Sequence, residues 1–363
     1  MIIEQLSILN FKNITQADLH FSTKINCLFG NNGMGKTNLL DALYYLSFCK
    51  SHSHLTDSQL IRHGQDFCVL QGFYRFEEEL EEVYCGIKRE QRKIFKKNKK
   101  EYDRLSEHIG LLPLVMISPE DTELILGGSE GRRKFADMVI SQYDKTYLQA
   151  LISYNKALLQ RNSLLKNGAT DPALYESWEE KMAFSGTLIR AVRQRFTTDF
   201  QPVFNEYHTI ICSGNEQVSM TYQSSWGNGN PAELLSQARS RDLLLGYSGT
   251  GIHRDDFDFR IGEHLIRKIG SQGQNKTFLI ALKLAQFSFL VQTGASTPIL
   301  LLDDIFDKLD TRRMEQIIHL VAQPQFGQIF ITDTNRTYLD EIILSTGNNH
   351  QLFEVKHGEI KGN

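Results

Sequence analysis

The segment Gly30-Asn31-Asn32-Gly33-Met34-Gly35-Lys36-Thr37 constrains this chain more than any other stretch. An apolar run, Ile25 to Phe29, leads into it. Asn38 to Phe48 follows, with Leu39, Leu40, Leu43, Tyr44 and Leu46 spaced for a buried helix. Strand, glycine-rich loop and helix together are what a phosphate-binding loop requires, and an incidental glycine turn does not supply both flanks. The glycines let backbone amides curl around an anion, and the helix adds the positive end of its dipole. In such a loop Lys36 bridges the β- and γ-phosphates of a nucleotide and Thr37 offers its hydroxyl to Mg2+.

The parts that complete a nucleotide site lie near the other end. Ile299-Leu300-Leu301-Leu302 has no polar face, so it reads as a central strand, and Asp303-Asp304 closes it. Carboxylates at the C-terminal end of such a strand stand where open α/β sheets bind ligands. Asp303 is assigned to Mg2+, directly or through water, and Asp304 to polarising the attacking water as general base. Ser271-Gln272-Gly273-Gln274 precedes an amphipathic stretch from Phe278 to Val291. It reads either as an anion site at a helix start or as an ordinary cap with Ser271 at the N-cap. The two ends of the chain therefore fold together, and what lies between is an insertion.

The texture along the chain agrees. Ile3 to Phe11 and Ile14 to Phe21 alternate as strands, and residues 66–95 read as further strands. Ser118-Pro119-Glu120-Asp121 reads as a helix start, and Arg132–Gln142, Lys145–Lys166 and Tyr175–Tyr207 as helices. Val218 to Tyr222 reads as a strand and residues 224–232 as a loop; strands and helices alternate again from about Gly246. The expected fold class is α/β: a mixed sheet around the phosphate loop, with an inserted helical lobe carrying a short hairpin. The expected boundaries are 1–117 and 246–363 for the two halves of the head and 118–245 for the lobe.

Composition narrows the setting. The net charge of −3 excludes a generally basic nucleic-acid binder, so any DNA surface is a local patch. No run approaches the ~18 apolar residues of a membrane span, and the N-terminus has no export-signal pattern, so a cytoplasmic protein without membrane contact is expected. The five cysteines are scattered and form no C-x-x-C pair, which argues for buried thiols.

Taken together, the phosphate loop, the serine-glycine helix start and the acidic strand with Phe306-Asp307-Lys308-Leu309-Asp310 resemble the ABC-type ATPases of the SMC and RecF group. The likeness to the RecF family runs the whole length. It includes Phe11-Lys12-Asn13-Ile14, Gly131-Arg132-Arg133-Lys134-Phe135-Ala136-Asp137, Leu159-Gln160-Arg161-Asn162 and Arg241-Asp242. It also includes Gly251-Ile252-His253-Arg254-Asp255-Asp256 and Val355-Lys356-His357-Gly358-Glu359-Ile360. The resemblance implies a head that binds ATP and Mg2+ and dimerises head to tail when ATP is bound. Ser271, with Gln272 and Gly273, would then touch the γ-phosphate held by the other subunit. Asp310 would lie at that interface, and Lys12 would match a basic position that approaches the phosphates.

The resemblance further implies a closed dimer that clamps single-stranded, gapped or junction DNA without sequence preference and releases it on slow hydrolysis. Such a protein works with RecO and RecR to place RecA, in recombinational repair, replication-fork recovery and the SOS response. Asn275-Lys276 stands where many relatives have Gln-Arg, and Ile252 where many have Pro. The switch histidine of transporter ATPases is missing after Ile329-Phe330-Ile331-Thr332, where Asp333-Thr334 follows. Gln59 and Gln65 both fit a Q-loop glutamine.

Two alternatives weigh less. A transporter subunit does not tolerate so long a stretch between Lys36 and Ser271, and an SMC-type structural protein needs long heptad arms. For DNA, the basic run around Lys93, Lys96, Lys97, Lys99 and Lys100 is the first candidate, set against a solvated hairpin that balances the nearby glutamates. Arg132-Arg133-Lys134 is the second, with the same rival. His253 to Asp256 has the wrong spacing for zinc and reads as a charged strand end.

Overall fold

In the computed structural model, residues 1–212, 216–294, 296–306, 311–334 and 349–362 are described. The chain divides into two compact units. The first comprises Met1–Asp121, Ile210–Cys212 and Gln286–Asn363, and the second Thr122–Thr209 and Ser213–Ala285.

The first unit contains two sheets. One is antiparallel: β1 (Ile2–Phe11), β2 (Ile14–His20), β4 (Phe67–Phe76), β5 (Glu79–Lys88), β6 (Ile94–Lys97) and β7 (Lys100–Glu101), in the order β2-β1-β4-β5-β6-β7. Alternation in β1 buries Ile3, Leu6, Ile8 and Phe11. The other sheet holds β3 (Ile25–Phe29), β8 (Leu114–Ile117), β12 (Ile299–Asp303), β13 (Ile329–Asp333), β14 (His350–Lys356) and β15 (Glu359–Gly362). Its order is β15-β14-β3-β13-β12-β8, parallel except for the terminal β14–β15 hairpin. Every residue of β8, β12 and β13 is buried, as continuous aliphatic runs predict for parallel strands covered on both faces. Helix α1 (Lys36–Phe48) leaves the end of the loop after β3, α2 (Asp57–Leu60) is a single turn, and α10 (Thr311–Ala322) joins β12 to β13.

The second unit is mainly helical: α3 (Glu123–Leu126), α4 (Ser129–Tyr143), α5 (Lys145–Lys166), α6 (Ala173–Cys212), α7 (Pro231–Leu245) and α8 (Ile266–Ile269). A small antiparallel sheet belongs to it, ordered β11 (His264–Leu265), β10 (Asp256–Ile261), β9 (Val218–Gln223). The segment 246–285, expected in the C-terminal half of the head, groups with this unit because β10 pairs along its whole length with β9. Helices α6 and α9 (Gln272–Gln292) each run past a boundary, between Thr209 and Ile210 and between Ala285 and Gln286.

Several local expectations are corrected. The helix start at Ser118 is a 3-10 turn over Pro119–Thr122, held by the Ser118 amide donating to Asp121 Oδ2 at 2.8 Å. Helix α9 is not amphipathic from Phe278 to Val291; even Lys283 and Gln286 are buried, because the apolar run covers every face. Helix α7 follows the loop read over 224–232, overlapping its last two residues, and its signals are local: Asn230 caps it, Pro231 opens it and Gly246 closes it at φ 74°. All five cysteines are free thiols. No described helix is long and apolar enough to cross a membrane.

Buried arginines organise the second unit. Arg161 is fully buried and donates to Glu179 (3.0 Å), Asp242 (2.6 Å), Ser248 Oγ (2.7 Å) and the Leu235 carbonyl (3.1 Å). Arg193 donates to Asp137 at 2.8 Å, to the Ile252 carbonyl at 2.9 Å and to Asp255 at 3.5 Å. Burying such charges is tolerable only because each finds partners on several elements.

Candidate nucleotide site

The loop from Gly30 to Gly35 joins β3 to α1 within the parallel sheet, and β12 and β13 end beside it. Gly35 caps α1 in a left-handed conformation. Lys36 is buried and its ammonium donates to the Gly30 carbonyl at 2.7 Å and the Asn31 carbonyl at 3.4 Å, so the cation lies within its own loop. Thr37 Oγ1 donates to Asp303, 2.9 Å from Oδ2 and 3.1 Å from Oδ1. Residues far apart in the chain thus meet because β3 and β12 both flank β13.

The surroundings of Asp303 fit a cation. Burial raises its carboxyl above the usual carboxylate range, and neighbouring Asp304 adds to this; hydrogen bonds from Thr332 and Thr37 and the charge of Lys36 oppose it. A buried carboxylate beside a hydroxyl at 2.9 Å offers two oxygen donors of the kind that would suit Mg2+. Among the described residues no cluster of three or more His, Cys, Asp or Glu could hold a metal ion. Asp304 follows with φ 45°, its amide donating to Thr332 Oγ1 at 3.0 Å. A non-glycine residue in that region costs energy and persists where the surroundings hold it.

The loop is held by residues outside the phosphate-binding motif, in the segments around Asn13 and Gly358. Asn13 Nδ2 donates to the Met34 carbonyl at 3.1 Å and its Oδ1 accepts from Asn38 at 2.7 Å, tying the β1–β2 turn to the loop. On the other side the Gly358 amide donates to the Met34 carbonyl at 2.9 Å, and Gly30 runs too close to the Val355 carbonyl for any Cβ. Lys12 pairs with buried Asp41 of α1 at 2.7 Å, so here it braces the helix rather than standing free at the loop. Asp41 also accepts from Ser51 Oγ (2.7 Å) and the His52 amide (2.6 Å). Gln59 Oε1 accepts from the Thr56 amide at 2.9 Å and caps α2. Asp310 lies outside the described residues.

In the second unit, Ser271 and Gln272 are exposed at the start of α9, with Gly273 half-buried. Ser271 Oγ accepts from the Gln274 amide at 3.2 Å, and Gln274 Oε1 accepts from the Ser271 amide at 3.0 Å, a reciprocal cap. The hydroxyl proton of Ser271 is not used by this cap.

Against such a site, comparison with known proteins is decisive. A family profile, the RecF/RecN/SMC N-terminal domain, matches residues 2–360. The DNA replication and repair protein RecF of Parabacteroides distasonis is 58% identical over 361 residues, covering 99% of each chain. The protein of the same name from Azobacteroides pseudotrichonymphae is 60% identical over 365 residues, again 99% of each. The chain belongs to the RecF family. A solved structure described as the recombination mediator protein RecF-ATP in the RecFOR pathway superposes with a TM-score of 0.90 at 29% identity, covering 100% of this chain and 97% of that one. An SMC head domain from Pyrococcus furiosus, at TM-score 0.59 and 17% identity, shares the fold alone. The fold is thus the ABC-type ATPase head of the RecF and SMC proteins.

The basic candidates divide on inspection. Lys93 is engaged inside the first unit: its ammonium donates to the Cys49 carbonyl (2.6 Å), Tyr45 Oη (2.9 Å) and Asp57 (3.2 Å). Its charge is therefore shared with Asp57 within the unit. Lys97 pairs with Glu81 at 2.7 Å and Lys96 lies 5.9 Å from the Tyr84 ring centre. Lys99 and Lys100 are exposed at the β6–β7 turn. In the second candidate, Arg132 is buried in a two-point pair with Asp256 (2.8 and 3.0 Å), and Arg133 donates to Ser129 Oγ and the Asp255 carbonyl. His253 to Asp256 leads from a 3-10 turn over Ile252–Arg254 into β10, which begins at Asp256, and its polar groups are engaged within the unit. His253 bonds Tyr154 Oη at 2.8 Å and the Ser248 carbonyl at 3.1 Å, and Asp255 is enclosed by Arg193, Tyr222 and Ser225.

Proposed function

We propose that this chain is an ATP-operated DNA clamp of recombinational repair, a slow ATPase whose output is the opening and closing of a dimer. The observation that carries this is the junction of Thr37 with Asp303 at 2.9 Å, which brings the two motif-bearing ends of the chain into one site. The loop amides and Lys36 hold the β- and γ-phosphates. Thr37 and Asp303 would hold Mg2+, which would supply neutralisation of the developing phosphate charge. Asp304 orients and deprotonates the attacking water. Ser271, exposed and with a spare hydroxyl proton, completes the site of a second copy, together with Gln272, Gly273 and Asp310 there. Lys12 supports the loop through Asp41 in the geometry described and serves the phosphates when that pair opens.

Lys96, Lys97, Lys99 and Lys100 are proposed to meet DNA phosphates, with Lys99 and Lys100 the freest. Relatives bear the name DNA replication and repair protein, and a solved relative is described as a recombination mediator of the RecFOR pathway. On that likeness the partners are gapped or single-stranded DNA, RecO and RecR, with fork recovery and SOS induction downstream. The test is mass by light scattering with and without ATP and Mg2+. Dimerisation only with nucleotide, lost in Lys36→Met and in Ser271→Arg, is the expected result. A dimer equally stable without nucleotide contradicts the clamp.

A further inference from the structure

The mechanism above uses Asp303 and Asp304 but leaves open what holds them to their separate tasks. Thr332 is buried in β13, directly opposite Asp303 of β12 in the parallel register. Its hydroxyl donates to Asp303 Oδ1 at 2.7 Å. The same oxygen accepts the Asp304 amide at 3.0 Å, and the Thr332 carbonyl accepts that amide at 3.3 Å. One side chain therefore fixes the rotamer of the metal-side carboxylate and anchors the backbone of the next residue. That backbone is the one held at φ 45°. Asp303 Oδ1 takes the Thr332 hydroxyl while Thr37 Oγ1 reaches both carboxylate oxygens, so the carboxylate is set from strand β13 on one side and the start of α1 on the other.

We infer that Thr332 is a positioning residue for ATP hydrolysis, coupling the aim of the Mg2+-binding Asp303 to that of the water-activating Asp304. Valine has nearly the shape of threonine but offers neither the donor nor the acceptor. It would free Asp303 to turn away from Thr37 and leave Asp304 held by the longer carbonyl contact alone. Partners of metal ligands are worth roughly 10–100-fold in metal affinity or activity. The inference rests on the ATPase reading proposed above.

The experiment compares the full chain with Thr332→Val, Thr332→Ala and Thr332→Ser. A fluorescent ATP analogue is titrated in EDTA and in Mg2+, and ATP turnover is measured against Mg2+ concentration. The hydroxyl-free variants should bind nucleotide in EDTA as the parent does. They should need roughly tenfold more Mg2+ for half-maximal turnover and lose roughly tenfold in kcat with little change in KM, and serine should restore both. Valine and alanine variants that match the parent in Mg2+ requirement and kcat overturn the inference. So does a serine variant as impaired as valine, since methyl packing then explains the loss. Loss of nucleotide binding in EDTA by both hydroxyl-free variants assigns Thr332 to the fold and also overturns it. A parent chain that binds no nucleotide and hydrolyses none removes the ATPase reading itself, a result distinct from a working parent with unaffected variants.

Discussion

Asp303 carries an energetic burden that the site tolerates for its chemistry. Burial raises its carboxyl pKa, so near neutrality the folded chain bears the cost of a desolvated charge. Asp303→Asn should therefore melt at a higher temperature than the parent near neutral pH while abolishing ATP turnover. The gain should shrink as pH falls through the Asp303 pKa, because the parent then takes up a proton and sheds the same cost. Thermal melts near neutral pH and in acid, beside a phosphate-release assay, check both parts. His253 makes the opposite case. Burial first, with the charges of Arg254, Arg133 and Arg161, lowers it from 6.5 to about 4, against a bond to the Ser248 carbonyl. Between those values the unfolded chain is protonated and the folded chain is not. Its contribution is complete above 6.5 and is lost as pH falls toward 4, amounting to about 3 kcal/mol. Urea unfolding of His253→Gln should show a correspondingly flatter loss of stability across that range.

At the scale of elements, the β14–β15 hairpin serves the nucleotide loop. Its turn, His357-Gly358, has φ 50° and 83°, the paired left-handed conformation of a tight hairpin. Gly358 meets the Met34 carbonyl, and a Cβ there would strike the Asn13 carbonyl. Gly358→Val should cost about 1–2 kcal/mol from backbone strain alone. By displacing Asn13 and Met34 it should also weaken ATP binding, measurable by calorimetry, although residue 358 carries no phosphate ligand. None of this was legible in the chain. The loop after β3, the apolar β12 and the capped start of α9 announce themselves through neighbours in sequence, because backbone conformation and continuous burial are local properties. The contact between Gly358 and Met34 depends on sheet order, which local pattern does not encode. The same holds for Arg132 and Lys93. As charges in basic runs they read as solvent-facing, and only the fold supplies Asp256 and Asp57 as partners. Much of the family pattern outside the nucleotide site, Arg161, Asp242, Asp137 and Asp255 among it, proves to be the ionic interior of the second unit.

At the scale of the whole molecule, the proposed division of labour between copies can be tested by mixing. Lys36→Met spoils the loop but leaves Ser271, while Ser271→Arg does the reverse. In an assembly where Ser271 works across the interface, equal amounts of the two inactive variants yield mixed dimers with one intact site. Neither variant pairs with itself, so every dimer formed is mixed, and turnover should recover to at most about half of the parent's, one intact site in two. No recovery is expected if each chain completes its own site. The parallel sheet has a further consequence, for synthesis. Strand β3 lies between β13 and β14, so both its edges wait for segments made at the far end of the chain. At about 5–20 residues per second, a ribosome needs roughly 15–60 seconds to supply them. Throughout that interval Ile25 to Phe29 is an apolar strand without neighbours, and its loop has no Asp303 beside it. A nascent chain therefore cannot hold ATP as the finished fold does, and a prematurely terminated one would never acquire that ability.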